Sequence, residues 1–229
     1  MPPRPSKNLD QALLAAGREL FPKRGCAGLA VREVAEAAGV NLGMFHYHFG
    51  SREAFLRAVL QQMYEAMYAD LTFEGGRDAD PVANLRAAVR FIGRFVRRNR
   101  PFIARLMADV VSRNPVALEF ARANMPRHLG LVHALVVQGQ KAGRIKPLAP
   151  AQAIGLLAGA TAFPILFAGG VAESGVLGEA GGRELHDLLL SDEAIDARIE
   201  LALSALLVAR KPAPGPRARR ATRKPRGRP

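Results

Sequence analysis

The sequence predicts an all-α protein of about nine helices. Apolar residues recur at helical spacing through most of the chain, as in Leu9, Leu13, Ala16 and Leu20. Glycine, proline and capping residues divide these periodic segments from one another. No alternating strand pattern and no internal repeat competes with this interpretation. The length of 229 residues allows one small domain and one larger one.

The positive charge is unevenly distributed along the chain. The net charge is +13, and residues 211–229 hold eight basic side chains and no acidic one. The rest of the chain is nearly balanced, so the pattern indicates a basic tail on a nearly neutral body. Such a tail suits a polyanionic partner.

The cysteine count and the N-terminal residues favour the cytoplasm as the compartment. The single cysteine, Cys26, excludes an internal disulfide framework. The first six residues lack the apolar core of a signal peptide, and we expect them to form a flexible arm. Residues 147–172 carry no charge, which allows a membrane helix as one interpretation. The prolines and glycines within that segment favour a buried helix of a soluble protein, so we expect no membrane association.

The segment Val31–Phe49 predicts two short helices joined by a tight turn. Gly39 supplies the positive φ that a sharp turn needs, and Asn41 is a good N-cap for the second helix. Phe45 and Phe49 fall on the buried side of that helix. A helix pair at this spacing is a helix-turn-helix, whose second helix lies in a DNA major groove.

The outward face of the second helix provides the predicted DNA contacts. His46 and Tyr47 can hydrogen-bond to phosphates or base edges, whereas Leu42 and Met44 would fit against thymine methyl groups. Gly43 lies on the same face, and Asn41 at the start of the helix is also a predicted DNA-binding residue. A solvated surface with some local packing is the alternative interpretation of these residues.

The N-terminal quarter of the chain resembles the DNA-binding domain of the TetR family of transcriptional regulators. The matching residues are Leu9 to Ala12, Glu19 to Phe21, Lys23 to Gly25, Val31 to Ala35, Ala38 to Val40, Gly43, Tyr47 to Phe49 and Ser51 to Ala54. The resemblance implies that Arg32 and Arg52 hold phosphates.

The sequence also departs from the family pattern at several positions. Leu29 and Ala30 stand where the family usually has a capping Thr or Ser, and Cys26 replaces an aromatic residue. Asn41, Leu42 and Met44 replace the frequent Ser, Lys and Thr of the recognition helix, so two polar DNA contacts of the family are missing.

The resemblance and the helical pattern together predict four segments. These are a flexible arm at 1–6, a three-helix helix-turn-helix domain at 7–54, a helical effector-binding and dimerisation domain at 55–209, and a disordered basic tail at 210–229.

An effector cavity inside the second domain is implied by the resemblance, and we expect an apolar effector. Its candidate lining residues are Met67, Phe91, Phe95, Phe102, Leu106, Met107, Met125, His133 and Phe163. Plain hydrophobic core is the alternative interpretation of a Met and Phe stripe at helical spacing.

A dimer is the second property that the resemblance implies, with the last two helices pairing with their copies in a four-helix bundle. Gly155 and Gly159 are four residues apart, which allows a partner helix to approach closely. Together with Ile199, Leu203 and Leu206, they form the predicted dimer interface.

The basic tail contains a short motif that resembles an AT-hook. A glycine between two arginines, as in Arg226, Gly227 and Arg228, allows an extended backbone to enter a narrow A·T minor groove. Nonspecific attraction to phosphates is the alternative role of this tail.

No enzymatic or metal site emerges from the sequence. His46 and His48 point in different directions on a helix, and no nucleophile–base pair, phosphate loop or dinucleotide fingerprint is found. We therefore expect no enzyme, metal or cofactor. The predicted function is a homodimeric repressor that an apolar effector releases from a palindromic operator. The alternative is an architectural, nucleoid-type DNA binder that uses the tail and has no effector.

Overall fold

A computed structural model describes residues 8–76 and 78–209 of the chain, which form eleven helices. The helices are α1 (Leu9–Gly28), α2 (Val31–Ala37), α3 (Leu42–Phe49), α4 (Arg52–Glu74), α5 (Pro81–Arg98), α6 (Arg100–Val111), α7 (Pro115–Lys141), α8 (Pro150–Ala160), α9 (Ala162–Glu173), α10 (Gly178–Leu190) and α11 (Asp192–Leu206). Within the described ranges, the β structure is limited to one isolated bridge between Ile145 and Leu207. The predicted all-α class is confirmed.

The helix count exceeds the predicted nine partly because the apolar segment at 150–173 is divided. Pro164 has no N–H with which to bond the carbonyl oxygen of Ala160, and the helix bends at Thr161. Arg198 of α11 donates from Nε to that carbonyl oxygen at 3.1 Å. The proline therefore separates α8 from α9, and an arginine from another helix satisfies the carbonyl that it leaves open.

Two further elements differ from the helix boundaries that glycine and proline residues predict. The glycine-rich segment after Glu173 forms a helix from Gly178 onward, whereas a loop is the usual result of such composition. α7 also continues through Pro126, where the sequence pattern suggests an interruption.

Two hydrophobic clusters fill the interior. The first cluster consists of residues from the first four helices, α1, α2, α3 and α4. It also includes Phe102 and Leu106 of α6 and Val116 and Ala117 at the start of α7. The second and larger cluster joins the later part of α4 to α5 and to α7–α11. Since α4 contributes to both clusters, the boundary predicted after residue 54 falls near the beginning of a helix that both parts share. The predicted four-segment division stays a prediction.

The contact between α5 and α11 decides which face of α11 is buried. Ile195 and Ile199 pack against Gly93 of α5, where an added Cβ would lie 3.0 Å from Ile195 Cγ2. Four arginines of α5 line the rim of this contact and pair with three acidic residues of α11. These pairs are Arg86–Glu200, Arg90–Glu200, Arg94–Asp196 and Arg97–Asp192, with N–O distances of 2.8, 3.1, 3.1 and 3.0 Å.

This packing corrects part of the predicted dimer interface. Ile199, Leu203 and Leu206 are 0%, 0% and 3% exposed because they belong to the core of their own chain. They are therefore not available to a second copy. Gly155 and Gly159 are exposed on α8 with open space around them, so their role stays a prediction.

Replacing Ile199 by Ala tests this correction. The free energy of unfolding should fall by about 2–4 kcal/mol, because the change opens a cavity in the core. Urea titrations at several protein concentrations measure it, and the loss should not depend on concentration. Val111→Ala is the control, since Val111 is 82% exposed on α6 and lies outside α8–α11. A concentration-dependent loss for Ile199→Ala would instead place this residue in an interface.

Candidate DNA interface and effector cavity

The two ends of α3 are set by local backbone chemistry. Gly39 adopts φ 64°, and the Asn41 side chain accepts a hydrogen bond from the Met44 N–H at 2.9 Å. At the other end Gly50 adopts φ 69°, and Ser51 caps α4 by accepting from the Ala54 N–H at 3.1 Å. The predicted turn at Gly39 and the predicted Asn41 cap are both present, so α2 and α3 have the helix-turn-helix arrangement that the sequence predicts.

The inner face of α3 is fixed by aromatic packing. Phe45 is fully buried, and its ring lies 5.6 Å from Phe49 and 5.0 Å from Phe55 of α4, between centroids. Three rings at these separations hold the helix in one rotational setting. The opposite face is therefore directed away from the core.

The outward face is more polar than the sequence pattern suggests. Tyr47 is 74% exposed, and Gly43 and His46 are also exposed. Leu42 and Met44, which are predicted to lie outside, are half-buried. Asn41 is exposed, but its Oδ1 atom is engaged in the cap, which leaves only its amide nitrogen for another contact.

His46 has a defined hydrogen-bonding direction. Its Nδ1 atom lies 3.3 Å from the carbonyl oxygen of Gly50. Since a carbonyl oxygen only accepts, Nδ1 carries the proton, and Nε2 of the neutral ring is an acceptor. In that state the ring can accept from the amino group of adenine or cytosine in the major groove.

The two histidines of α3 have different surroundings. Within residues 8–76 and 78–209, no group of three or more His, Cys, Asp or Glu side chains is arranged to hold a metal ion. His48 is half-buried between Tyr47 and Phe49, and its Nε2 atom is buried without a hydrogen-bond partner among the described residues. The geometry offers no physical account of this unsatisfied nitrogen.

The two arginines predicted to hold phosphates have different surroundings. Arg32 is exposed on α2. The guanidinium of Arg52 instead donates to the carbonyl oxygens of Leu29 at 2.7 Å, of Ala27 at 2.7 Å and of Cys26. It therefore closes the C-terminal end of α1, where a cation is favourable. This role depends on contacts more than 20 residues apart, and the sequence pattern does not reveal it.

The connection between α1 and α2 is also held from α6. Asp109 is 2% exposed, and its carboxylate accepts from the Cys26 backbone N–H at 2.7 Å and from Arg105 at 2.8 Å. Gly25 is needed beside it, because an added Cβ would overlap the Arg105 guanidinium and because its φ is 63°. One helix of the larger domain thus contacts the backbone directly before α2.

Cys26 itself is a packed thiol. It is 1% exposed, and burial raises the pKa of its thiol to about 12. A thiol with that pKa is protonated at neutral pH and is a poor nucleophile. Cys26, which stands where the family usually has an aromatic residue, is therefore part of the hydrophobic core.

A cavity of about 310 Å³ lies between α4, α5, α6, α7, α8 and α9. Its lining is almost entirely apolar, and the volume is at the small end of the range typical of small-molecule sites. The cavity contains five of the predicted lining residues: Met67, Phe95, Leu106, Met107 and Met125.

The other four predicted lining residues lie elsewhere. Phe102 stacks on Phe21 of α1, with centroids 4.4 Å apart, and the half-buried Phe91 packs against the larger cluster. His133 is exposed on α7, and Phe163 is 65% exposed on α9. Helical periodicity alone does not separate positions that face the cavity from their neighbours.

The sequence pattern missed the polar residues of the cavity wall. These are Tyr64, Asn124, His128 and Thr161. His128 precedes the buried residues Val132 and Leu135 by four and seven positions, which places it on the inner face of α7. That spacing is a signal that favours His128 over His133.

An apolar outer surface is present on α8–α11. Among the described residues, eight of the thirteen exposed large apolar side chains lie between Leu156 and Val208. The segment Pro150–Glu173 is long and apolar enough to cross a membrane, with a mean hydropathy of 1.9, and 28% of it is buried. The bend at Thr161 and the packing of α8 and α9 on α5, α7, α10 and α11 indicate helices that belong to a protein body.

The predicted arm and AT-hook lie outside the described residues. This applies to residues 1–6 and to Arg226, Gly227 and Arg228 in the basic tail.

The N-terminal part of the chain matches a known protein family. Residues 13–59 match the family described as bacterial regulatory proteins, tetR family. Over 142 residues the chain is 28% identical to the HTH-type transcriptional regulator RutR of Escherichia coli (strain K12), with 61% of this chain and 66% of RutR aligned. The chain thus spans just under two thirds of the length of this relative.

Two further matches separate the local likeness from the overall one. Over 60 residues the chain is 40% identical to the HTH-type transcriptional repressor NemR of Escherichia coli (strain K12), which covers 26% of this chain and 30% of NemR. A solved structure of a TetR family transcription regulator from Marinobacter aquaeolei VT8 superposes with a TM-score of 0.62 at 19% identity, over 87% of this chain and 96% of that one. The fold likeness therefore extends well beyond the helix-turn-helix.

Replacing Arg52 by Ala tests its role at the end of α1. Loss of its three carbonyl contacts should lower the free energy of unfolding by about 1–3 kcal/mol. Arg32→Ala is the matched control and should change it by less than about 0.5 kcal/mol. Urea unfolding followed by circular dichroism measures both. If Arg52→Ala is as stable as the wild type, its guanidinium is free to hold a phosphate as the sequence predicts.

Proposed function

Because the chain belongs to the TetR family of transcriptional regulators, we propose that it is a repressor that a small apolar effector releases from a palindromic DNA operator. Regulators of this family bind DNA operators, act as dimers and respond to small-molecule effectors. The exposed face of α3 is the observation that carries the DNA-binding part of this proposal. The relatives are soluble bacterial regulators, which supports a cytoplasmic location.

DNA recognition falls to the exposed residues of α3 and the backbone around it. Tyr47 and His46 reach base edges, Gly43 allows close approach, and half-buried Leu42 and Met44 contact apolar groups at the groove. Arg32 and the free amide groups at the start of α2 and α3 hold phosphates. Two copies of α3 about 34–36 Å apart read the two half-sites.

The apolar outer surface of α8–α11 supplies the contact between the two copies. Its large exposed side chains include Leu156, Phe163, Phe167 and Leu201, which would be unfavourable in water as a continuous patch. Phe163 and Phe167 are stacked, with centroids 5.8 Å apart. We assign these residues to the dimer interface in place of Ile199, Leu203 and Leu206.

Release from DNA follows from helices that belong to both sites. α6 lines the cavity with Leu106 and Met107, and through Asp109 it holds the backbone before α2. α4 lines the cavity with Met67, and its first residue, Arg52, closes the end of α1. An effector that binds better to one arrangement of α4 and α6 shifts the population toward it and changes the spacing of the two α3 helices.

Substituting both His46 and Tyr47 by Ala tests the DNA-binding face. Affinity for a duplex selected by the wild-type protein from a random library should fall roughly 30-fold or more, since each of the two base contacts contributes about 1–3 kcal/mol. Gel shift measures the change. His186→Ala, at an exposed histidine of α10, is the control and should leave affinity unchanged. Unchanged affinity of the double variant would reject this face.

Truncation before Lys211 separates specific recognition from the contribution of the tail. The truncated protein should retain its sequence preference and lose part of its affinity, with a shallower dependence on salt, because fewer counterions are released. Loss of all binding would instead favour an architectural DNA binder.

The charged substitution Leu201→Glu tests the dimer surface. The dimer dissociation constant should rise roughly 100-fold or more, because a carboxylate would be buried in an apolar contact. Sedimentation velocity measures it. Val111→Glu is the matched control, since Val111 is 82% exposed on α6. Equal dimerisation of the two variants would contradict the assigned interface.

A further inference from the structure

His128 gives the apolar cavity a single directional polar group. It belongs to the cavity wall on α7, together with Tyr64 of α4. The Tyr64 hydroxyl oxygen lies 2.7 Å from the carbonyl oxygen of Asn124 and 3.3 Å from Nδ1 of His128. Three groups are thus linked in one chain of hydrogen bonds.

The direction of these hydrogen bonds fixes the tautomer of His128. The carbonyl oxygen of Asn124 can only accept, so the one hydroxyl proton of Tyr64 is donated to it. The Tyr64 oxygen must then accept from Nδ1 of His128, which places the ring proton on Nδ1. Burial lowers the pKa of His128, which favours the neutral ring. Nε2 is therefore a lone-pair acceptor.

The acceptor of His128 is not used by the protein. Among the described residues, Nε2 makes no hydrogen bond, whereas the other polar atoms of the wall have partners within the chain. Thr161 donates its hydroxyl to the Leu157 carbonyl oxygen, and the Asn124 amide group is bonded to Gln61 and Phe120. Nε2 of His128 is therefore the polar atom of the wall that has no hydrogen bond among the described residues, and a bound molecule would meet it in an apolar space.

No cation is available in the wall to receive an anion. The described residues that line the cavity include no Lys, Arg, Asp or Glu. The guanidinium of Arg127, next to the wall residue Tyr64, lies over the rings of Tyr64 and Tyr68, 5.1 and 4.3 Å from their centroids, and pairs with both oxygens of Glu65. A carboxylate in this cavity would remain uncompensated, which is unfavourable.

From this geometry we propose that the cavity binds a neutral apolar molecule with one hydrogen-bond donor, in its simplest form an aliphatic alcohol, whose hydroxyl donates to Nε2 of His128. The proposal rests on the cavity being the effector site and adds the chemical class of the effector. The cavity of about 310 Å³ restricts this molecule to a small size. It enters beside Met125 and Leu129, which are 42% and 37% exposed on α7.

Three probes of equal chain length test the proposal in calorimetric titrations of the full-length protein without DNA. They are 1-nonanol, 1-methoxyoctane, which lacks the donor, and nonanoate, which carries a charge. The alcohol should bind about 3- to 10-fold more tightly than the ether, because it makes one additional hydrogen bond. Nonanoate should bind at least roughly 100-fold more weakly than the alcohol, because its charge is desolvated without a partner. Equal binding of alcohol and ether, stronger binding of nonanoate, or no binding of any probe would overturn the proposal.

Two variants assign the preference to His128. His128→Phe should bind alcohol and ether equally, while His133→Phe, at the exposed histidine of the same helix, should keep the wild-type preference. Tyr64→Phe removes the group that fixes the tautomer and should also reduce the preference. The proton position in the wild type is read from two-bond ¹H–¹⁵N correlation spectra, in which the His128 signals are those missing in His128→Phe. A proton on Nε2 would overturn the proposal.

The effector mechanism and the proposed chemistry of the cavity can be rejected separately. Since binding is measured without DNA, an alcohol that binds as expected but leaves the operator complex intact would reject the effector mechanism and retain the chemistry of the cavity. An operator complex that dissociates with nonanoate alone would retain the effector mechanism and reject the chemistry.

Discussion

The arrangement of the helix-turn-helix relative to the later helices depends on one hydrogen bond. In it, the Asp109 carboxylate of α6 accepts from the backbone N–H of Cys26. The carboxylate is almost fully buried and is balanced by Arg105, which in turn requires glycine at position 25. A buried carboxylate is stable only with such partners, so a displacement of either helix is costly. The position of α2 relative to the larger domain is therefore set by a polar contact, with Phe21 on Phe102 packed beside it.

The local features of the DNA-binding part were predictable because they depend on residues close in sequence. Gly39 and Asn41 act within four positions of themselves and adopt the predicted conformations, and Gly50 and Ser51 act over the same short range. The all-α class follows in the same way from the periodicity of apolar residues. Five of the nine residues predicted for the cavity line it, since periodicity identifies the inner side of a helix.

Features that depend on distant partners were not predictable. The guanidinium of Arg52 finds its carbonyl partners more than 20 residues away, and Asp109 contacts a residue 83 positions earlier. The apolar face of α11 with Ile199 and Leu203 fits either a dimer or the chain's own core, and only its packing against Gly93 decides between them. His128 and His133 likewise look equivalent until the side of α7 that faces the cavity is known.

The ion pairs between the arginines of α5 and the acidic residues of α11 have a consequence for where DNA binds. Without partners, the four arginines at one edge of α5 would form a positively charged stripe along most of that helix. Such a stripe attracts the phosphates of nucleic acids regardless of their sequence. Asp192, Asp196 and Glu200 of the neighbouring helix balance three of these four charges. The larger domain therefore offers no competing track for nucleic acid on this side, and the unbalanced positive charge of the chain is left mainly to residues 211–229.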